Sequence, residues 1–321
     1  MAISTLSKFT LVLLTLLSAF VFAHPRFSTE EIAQYRDLVA RHTEALGRCL
    51  ESPHLRELNT RMLDGYATTA VKLRKARGLD EKSGTIDRRD KGALKMWIGS
   101  PDEHKTQSPD PQDLCHFRWD EPWKEGQPER QNITAEQAGV YMRLALQVID
   151  IATCNPVPGA RVDVWHANAL GEYGPEPTSF LRGCQRSSVR GTVDFDTIFP
   201  SHYPGRSTHV HVLVRPENQK KVAHVGMLYF PDDLREAIEA TPEYAKNLNP
   251  VVRNADDAFA PYSASYQYDP FVQWSWLGSR PADGVLTWIA MGVNLSATVE
   301  QPPKKRRRSL FDAHLAHDGR D

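Results

Sequence analysis

The sequence predicts a mainly β protein, an antiparallel β-sandwich with an N-terminal helical extension. Beyond Thr134, apolar residues alternate with polar or small ones, as they do in strands with one buried face. Stretches rich in glycine and proline separate these runs, which is typical of turns between strands. From Ser28 to about Gly78 the apolar residues instead recur at steps of three and four, which predicts helix.

The first 23 residues read as a secretory signal peptide. Lys8 precedes an apolar stretch from Phe9 to Phe22, and Val21-Phe22-Ala23 fits cleavage after a small residue. The stretch holds 14 residues, whereas a helix needs about 20 to cross a bilayer. We therefore expect a secreted, extracellular chain that begins at His24 and has no membrane partner.

The rest of the chain divides into four segments. Residues 24–80 form the helical extension, a candidate surface for homodimerisation, and residues 81–112, rich in Lys, Asp and Pro, are predicted to be an exposed linker. Residues 113–297 form the sandwich domain. Residues 298–321 lack periodicity and contain the basic run 304–308, so we expect a solvated, disordered tail.

The strands of the sandwich are predicted by alternating runs and by one late apolar run. They cover residues 142–148, 162–164, 193–195, 210–214 and 284–294.

Composition excludes some classes of function. The 321 residues include 39 Lys and Arg against 40 Asp and Glu, so the chain is nearly neutral. Proteins that bind nucleic acids or anionic membranes through bulk charge carry a basic excess, and this chain has none. We therefore expect no nucleic-acid partner.

The cysteines and the glycosylation signals agree with secretion. No CxxC metal pattern is present, so disulfides are favoured, with three possible connectivities for four cysteines. Among these we expect Cys115 to pair with Cys154 and Cys49 with Cys184. Two Asn-X-Ser/Thr sequences make Asn132 and Asn294 candidate N-glycosylation sites.

The most informative segment ends in Thr208-His209-Val210-His211-Val212. Side chains two apart in a strand share a face, so His209 and His211 offer a pair of metal ligands. Tyr203 precedes them across a Pro-Gly turn signal, and Tyr173 follows a predicted strand in a Gly-containing loop. Phenolate is a hard, anionic oxygen donor, so two tyrosines with two imidazoles favour ferric iron.

Several segments together resemble the intradiol ring-cleavage dioxygenase family, and more closely its secreted fungal-type branch. The resemblance extends over roughly residues 113 to 295, with separate motifs in the family's order. The segments are Cys154 to Asn168 (CNPVPGARVDVWHAN), Gly171-Glu172-Tyr173, Phe180 to Gln185 (FLRGCQ), Gly191 to Pro200 (GTVDFDTIFP) and Tyr203 to His211 (YPGRSTHVH).

The resemblance implies a non-haem Fe(III) site in a β-sandwich. It makes Tyr173 the equatorial tyrosinate, Tyr203 the axial tyrosinate that substrate displaces, and His209 and His211 the axial and equatorial imidazoles. Arg206 takes the place of a guanidinium beside the substrate, where it would stabilise developing negative charge.

The activity implied is cleavage of a catechol-type diol by O2 between its hydroxylated carbons, which yields a muconate-type diacid. The partners are therefore a small aromatic diol and O2, with no organic cofactor. Tyr203 would act as a catalytic base for the diol as well as a ligand.

One residue departs from the family pattern. The strand after the histidines reads His224-Val225-Gly226-Met227, with Met227 where the family usually has glutamine. A thioether cannot donate a hydrogen bond, so this position keeps open a second interpretation. The alternative is a secreted β-sandwich module that binds aromatic or carbohydrate ligands and has an inactive metal site.

Three further histidines and one asparagine have other expected roles. His166 and Asn168 either orient the metal ligands or hold a turn. His202 and His224 are expected to be surface residues or to have their hydrogen bonds satisfied within the protein.

Overall fold

The computed structural model describes the strands and one long helix of a mainly β protein. The described residues are 48–49, 51–79, 96–98, 123–174, 179–217, 221–257, 260, 270–296 and 299–300. The predicted signal peptide, Cys115 and the basic run all lie outside these ranges, as do most of the linker and tail.

The first sheet has six strands. Its central strands are β2 (Tyr141–Asp150) and β11 (Val285–Val293), both almost wholly buried. Around them lie β1 (Met96–Ile98), β3 (Asn155–Pro156), β6 (Thr192–Ile198) and β10 (Gln273–Trp276). Residues 96–98 fall within the predicted linker, so that segment contains a strand, formed by the apolar sequence Met-Trp-Ile.

The first sheet is mixed, so the prediction of an antiparallel architecture is wrong for part of it. Strands β2 and β11 pair in parallel along their whole length, and β1 pairs in parallel with β11. Parallel neighbours need a long crossover. Here most of the domain lies between residue 150 and residue 285, so the connection is long enough.

The second sheet consists of β4 (Arg161–Trp165), β5 (Arg182–Arg186), β7 (His209–Arg215) and β9 (His224–Tyr229). These four strands are antiparallel and lie in the order β5-β4-β7-β9. A separate pair joins β8 (Lys221–Val222) to β12 (Val299–Glu300). The predicted strands are thus present, with the late run at Val285–Val293.

The main core joins the two sheets. One buried cluster contains Leu144 and Phe195 of the first sheet together with Val164, Val212 and Leu228 of the second. Alternate side chains of β2, β4, β6, β7 and β11 point into this cluster, as the period of two predicts. The opposite face of β7 is therefore turned away from the core.

The long helix covers the outer face of the first sheet. Helix α1 (Pro53–Ala76) begins after Ser52, whose Oγ accepts a hydrogen bond from the Leu55 backbone N–H at 3.1 Å. Its buried residues join the outer face of β2 and β11 in a second cluster, where Tyr66 stacks on Trp288. The described helix thus packs on its own chain. A short helix, α2 (Asp232–Glu239), follows β9.

The disulfide pairing differs from the prediction. Cys49 bonds to Cys154, with the Cα atoms 5.1 Å apart. The cause is the position of α1: it lies on the first sheet, and Cys154 follows the end of β2 there. Cys184 belongs to β5 in the other sheet and is a buried free thiol, whose pKa burial raises to about 11.

None of the helices in the described ranges combines the length and apolar character that a membrane span requires. Asn132 is exposed and Asn294 is half-buried. In each case the Asn Oδ1 accepts hydrogen bonds from the Thr or Ser two residues later. Glycosylation at both sites stays a prediction.

Candidate metal centre

Strand β7 presents the two histidines on the face turned away from the core. His209 and His211 have their Nε2 atoms 3.2 Å apart, while Val210 and Val212 are fully buried in the cluster between the sheets. Both imidazoles are at most 6 % exposed. The alternation predicted from the sequence therefore fixes which side chains converge.

Tyr203 reaches the histidines from the loop before β7. The backbone N–H of Arg206 donates to the Tyr203 carbonyl at 3.1 Å, and Gly205 adopts a positive φ of 81°, which closes a tight turn. This turn brings the Tyr203 Oη to 3.2 Å from the His209 Nε2. The predicted Pro-Gly signal thus positions the phenol.

Tyr173 arrives from the loop that follows β4. Asn168 holds this loop, because its Oδ1 accepts hydrogen bonds from the backbone N–H groups of Leu170 and Glu172 at 2.9 and 3.0 Å. At Gly171, with φ of 75°, a Cβ atom would lie 2.2 Å from the His202 carbonyl oxygen. Glycine therefore lets the two tyrosine loops touch.

The polar atoms of the four side chains lie close together. The Tyr203 Oη contacts the His209 Nε2, which contacts the His211 Nε2, and the Tyr173 Oη lies 3.1 Å from the His211 Nε2. Two ligands placed roughly 2.1 Å from one first-row metal ion have about this spacing. The tyrosine and histidine atoms predicted as ligands thus meet at one place.

The hydrogen bonds of His209 fit a metal ligand. Its Nδ1 lies 2.7 Å from the Ser207 carbonyl oxygen, which can only accept, so Nδ1 carries the proton. The Nε2 therefore presents a lone pair toward the cluster. A backbone carbonyl that fixes the tautomer in this way is a common partner of metal-bound histidine.

The chemistry of the donor set favours iron over zinc. Within the described residues there is no group of three or more His, Cys, Asp or Glu placed to hold a metal ion. Two of the four clustered groups are tyrosines instead. Tyrosinate is an established ligand of iron in proteins, while structural zinc uses cysteine and histidine.

Two large side chains flank the cluster. The ring of Trp165 stacks on His211, with centroids 4.9 Å apart and an angle of 7° between the planes. The buried guanidinium of Arg182 lies 5.8 Å from the centroid of the Tyr173 ring. These contacts hold the rings of His211 and Tyr173 in place and bring a positive charge close to one phenol.

Arg206 lies beside the cluster and also forms an ion pair. Its Nη1 is 3.4 Å from the Tyr203 Oη, and its Nε donates to Asp257 at 2.9 Å. Burial raises the pKa of Asp257, but the charge and hydrogen bonds of Arg206 outweigh it and hold the pKa at about 2. Sequence reasoning missed Asp257.

Met227 and Tyr229 extend the site along β9. Met227 is the cross-strand partner of His211, and Tyr229 is the partner of His209, so both share the face of the histidines. The Met227 Sδ is 3.0 Å from the Arg206 Nη2. The departure from the family pattern thus affects the surroundings of Arg206 and leaves the four donors intact.

The cluster of donor atoms does not include His166, His202 or His224. The imidazole of His166 contacts the Ala167 carbonyl and Thr197 Oγ1, each at 2.8 Å, and burial lowers its pKa to about 4. His202 is buried and not at the surface, since its Nδ1 contacts Glu239 at 2.7 Å. Burial lowers the pKa of His202, but that hydrogen bond raises it overall. His224 is buried in β9.

The segment that contains the cluster is similar to a known protein family. Residues 119–240 match the family described as dioxygenase. No curated protein sequence matches the chain.

Three solved structures illustrate the similarity. An intradiol ring-cleavage dioxygenase from Tetranychus urticae has 26% identity and a TM-score of 0.49, over 54% of this chain and 89% of its own. A hydroxyquinol 1,2-dioxygenase from Pseudomonas putida DLL-E4 has 20% identity and a TM-score of 0.38, over 54% and 63%. A catechol 1,2-dioxygenase from Pseudomonas arvilla C-1 has 19% identity and a TM-score of 0.39, over 59% and 65%. Residues 119–240, which contain the two tyrosines and the two histidines of the cluster, match the dioxygenase family model, and the chain is similar in sequence to an intradiol ring-cleavage dioxygenase.

Proposed function

We propose that the protein is an extracellular non-haem Fe(III) intradiol dioxygenase that cleaves catechol-type diols with O2 to muconate-type diacids. The observation that carries this proposal is the convergence of Tyr173, Tyr203, His209 and His211 at spacings of 3.1 to 3.2 Å within the dioxygenase-family region. We assign these four side chains as the iron ligands.

Ferric iron, when bound, would chelate both diol oxygens and draw electron density from the ring. The protein's part begins with Tyr203, whose Oη is 3.2 Å from the His209 Nε2 and 3.4 Å from the Arg206 Nη1. As a phenolate, this oxygen can take a proton from the incoming diol. Hydrogen-bond reach to the diol hydroxyl is what such a base requires.

The enclosure of the site strengthens its electrostatics. Arg206 is 1 % exposed and His209 is 2 % exposed, so the charged groups here are screened little by water. A fixed guanidinium in such a place stabilises negative charge as it develops on a substrate atom, at little reorganisation cost. We assign this role to Arg206.

The alternative function is a binding module with an inactive metal site. It rests on Met227, which replaces a hydrogen-bonding side chain with a thioether 3.0 Å from the Arg206 Nη2. Such a module would hold no iron under native conditions and would be colourless. The dioxygenase proposal requires the colour of tyrosinate bound to ferric iron.

Export and self-association complete the proposal. We propose that residues 1–23 direct secretion, and the Cys49–Cys154 disulfide supports an oxidising compartment. We also propose glycosylation at Asn132 and Asn294, and a homodimer through the N-terminal helical extension. Sedimentation of the secreted protein gives its oligomeric state. The change in mass after enzymatic removal of N-glycans tests glycosylation.

The proposed activity is tested by anaerobic titration of the purified, iron-loaded protein with catechol. We expect the visible absorption to shift as catechol binds, and admission of air to yield a ring-opened diacid in amounts that match the O2 consumed. The alternative module would show no absorption change and no diacid. That result would exclude the dioxygenase proposal.

A further inference from the structure

The carboxylate of Asp257 accepts several hydrogen bonds beside the candidate centre. It accepts from the Arg206 Nε at 2.9 Å, the Arg206 Nη2 at 3.5 Å, the Ser207 backbone N–H at 2.8 Å, the Tyr229 Oη at 3.2 Å and the Ala260 backbone N–H at 3.0 Å. A carboxylate bound by donors from separate segments has a fixed position and orientation.

These bonds determine where the guanidinium of Arg206 points. Asp257 holds the Nε and Nη2 edge, and Tyr229 and Met227 also contact Nη2. Because a guanidinium is planar and rigid, fixing that edge directs Nη1 toward the Tyr203 Oη, 3.4 Å away. The direction of the charge thus depends on the carboxylate.

The charge of the pair matters as much as its geometry. The side chains of Arg206 and Asp257 are 1 % and 0 % exposed. An isolated buried charge is strongly unfavourable, so a buried arginine needs a compensating group to remain in place. Asp257 supplies a negative charge on the side of Arg206 that faces away from Tyr203.

We propose that Asp257 is a positioning residue of the ring-cleavage reaction, which holds the guanidinium of Arg206 against the Tyr203 hydroxyl position. The inference rests on the proposed function. It predicts that the effect of Asp257 on the reaction passes through Arg206, and that loss of Asp257 slows the reaction more than it weakens diol binding.

The chain offers a matched control in Asp163. This carboxylate is also 0 % exposed and pairs with an arginine, Arg215, at 2.6 Å. It lies on β4, and Arg161 is its second cation at 3.9 Å. Substitution of Asp163 with Asn therefore removes another buried carboxylate paired with arginine, without touching Arg206.

The experiment compares Asp257→Asn, Asp257→Glu and Asp163→Asn in iron-loaded protein. We measure kcat with catechol, the anaerobic Kd of catechol and the visible absorption of the resting protein. For Asp257→Asn we expect kcat to fall roughly 10- to 100-fold, the size found for partners that orient metal-site residues. The Kd should change less than about threefold, the resting absorption should stay, and Asp257→Glu should recover part of kcat. Asp163→Asn should leave kcat within about twofold.

A double substitution shows whether the effect passes through Arg206. In an Arg206→Gln background, Asp257→Asn should lower kcat no further, because the group that Asp257 positions is already gone. An equal loss in both backgrounds would overturn the inference, as would equal effects of Asp257→Asn and Asp163→Asn. Wild-type protein without ring cleavage would instead refute the proposed function, and the inference with it.

A milder variant covers the case in which Asp257→Asn does not fold. Tyr229→Phe removes one donor to Asp257 and one acceptor from the Arg206 Nη2. We expect a loss of kcat of about 3- to 10-fold, which corresponds to about 1 kcal/mol of transition-state stabilisation. The loss should be absent in the Arg206→Gln background. An unchanged kcat for Tyr229→Phe would count against the proposal.

Discussion

The two faces of β7 have different structural requirements. On one face Val210, Val212 and Val214 are fully buried between the sheets. On the other face His209 and His211 meet tyrosines that come from loops. The apolar face needs only volume and burial, whereas the polar face needs donors and acceptors at fixed positions.

The cross-strand partners of β7 also differ between the two faces. Val212 pairs with Val164 on the core face, while His211 pairs with Trp165 and Met227 on the site face. A slip of one residue in register would exchange the two faces. The apolar face therefore specifies the register, and the register in turn places the histidines.

The largest effect is expected on the site face, from Tyr203→Phe. Loss of the phenol oxygen removes one of the four clustered donors, so iron retention should weaken and turnover of catechol should be abolished. Iron content after dialysis and O2 uptake measure the two effects. Tyr244→Phe, at a buried tyrosine outside the cluster, is the control. Unchanged turnover in Tyr203→Phe would remove Tyr203 from its role.

On the core face, Val212→Ala should act on stability alone. Removal of two buried methyl groups leaves a cavity and should lower the free energy of unfolding by about 2 kcal/mol. Iron bound per folded molecule should not change. Urea unfolding and metal analysis give both quantities. A Val212→Ala variant that keeps full stability but loses its iron would show that the core face also determines iron binding.

The free energy of unfolding should depend on pH through Asp257, which lies beside the site face of β7. The pKa of Asp257 is held at about 2 in the folded protein, below the ordinary value of 3.8. A lowered pKa stabilises the fold at pH above the ordinary value, and this contribution is lost as the pH falls through 3.8 toward 2. It amounts to about 2 kcal/mol. The stability difference between wild type and Asp257→Asn, from urea unfolding, should shrink by that amount between pH 5 and pH 2.

A difference that does not change with pH would show that Asp257 is not the charged partner of Arg206. Asp163→Asn provides the comparison, since the pKa of Asp163 is shifted in the other direction: burial raises it, against the opposing charge of Arg215. That variant should therefore not reproduce the acid-dependent change of Asp257→Asn.

The smallest effect is expected for Met227→Leu. The two side chains have similar volumes, so the free energy of unfolding should change by less than about 1.5 kcal/mol. The sulfur contacts to the Arg206 Nη2 and the Tyr229 Oη are lost. Thermal unfolding measures the change. A larger loss would show that the site face depends on packing in the same way as the core face.

Local patterns predicted the parts of the fold and site that depend on neighbouring residues. The alternation within residues 209–214 placed two imidazoles on one face, and the Pro-Gly turn returned Tyr203 to them. The structure has strands at each predicted run and brings the four predicted donors together.

The parts that depend on distant pairing could not be predicted in this way. Asp257 lies 51 residues beyond Arg206, in a segment without a motif. The parallel pairing of β2 with β11 and the Cys49–Cys154 bond likewise join residues far apart in sequence. Periodicity describes one strand or helix at a time, so it carries no information about which distant elements meet.

If two tyrosines and two histidines hold ferric iron, the purified protein loaded with one equivalent of Fe(III) should absorb visible light. We expect a tyrosinate-to-iron charge-transfer band that weakens in Tyr173→Phe and in Tyr203→Phe and persists in Tyr244→Phe. An iron-loaded wild type without such a band would contradict this ligand assignment.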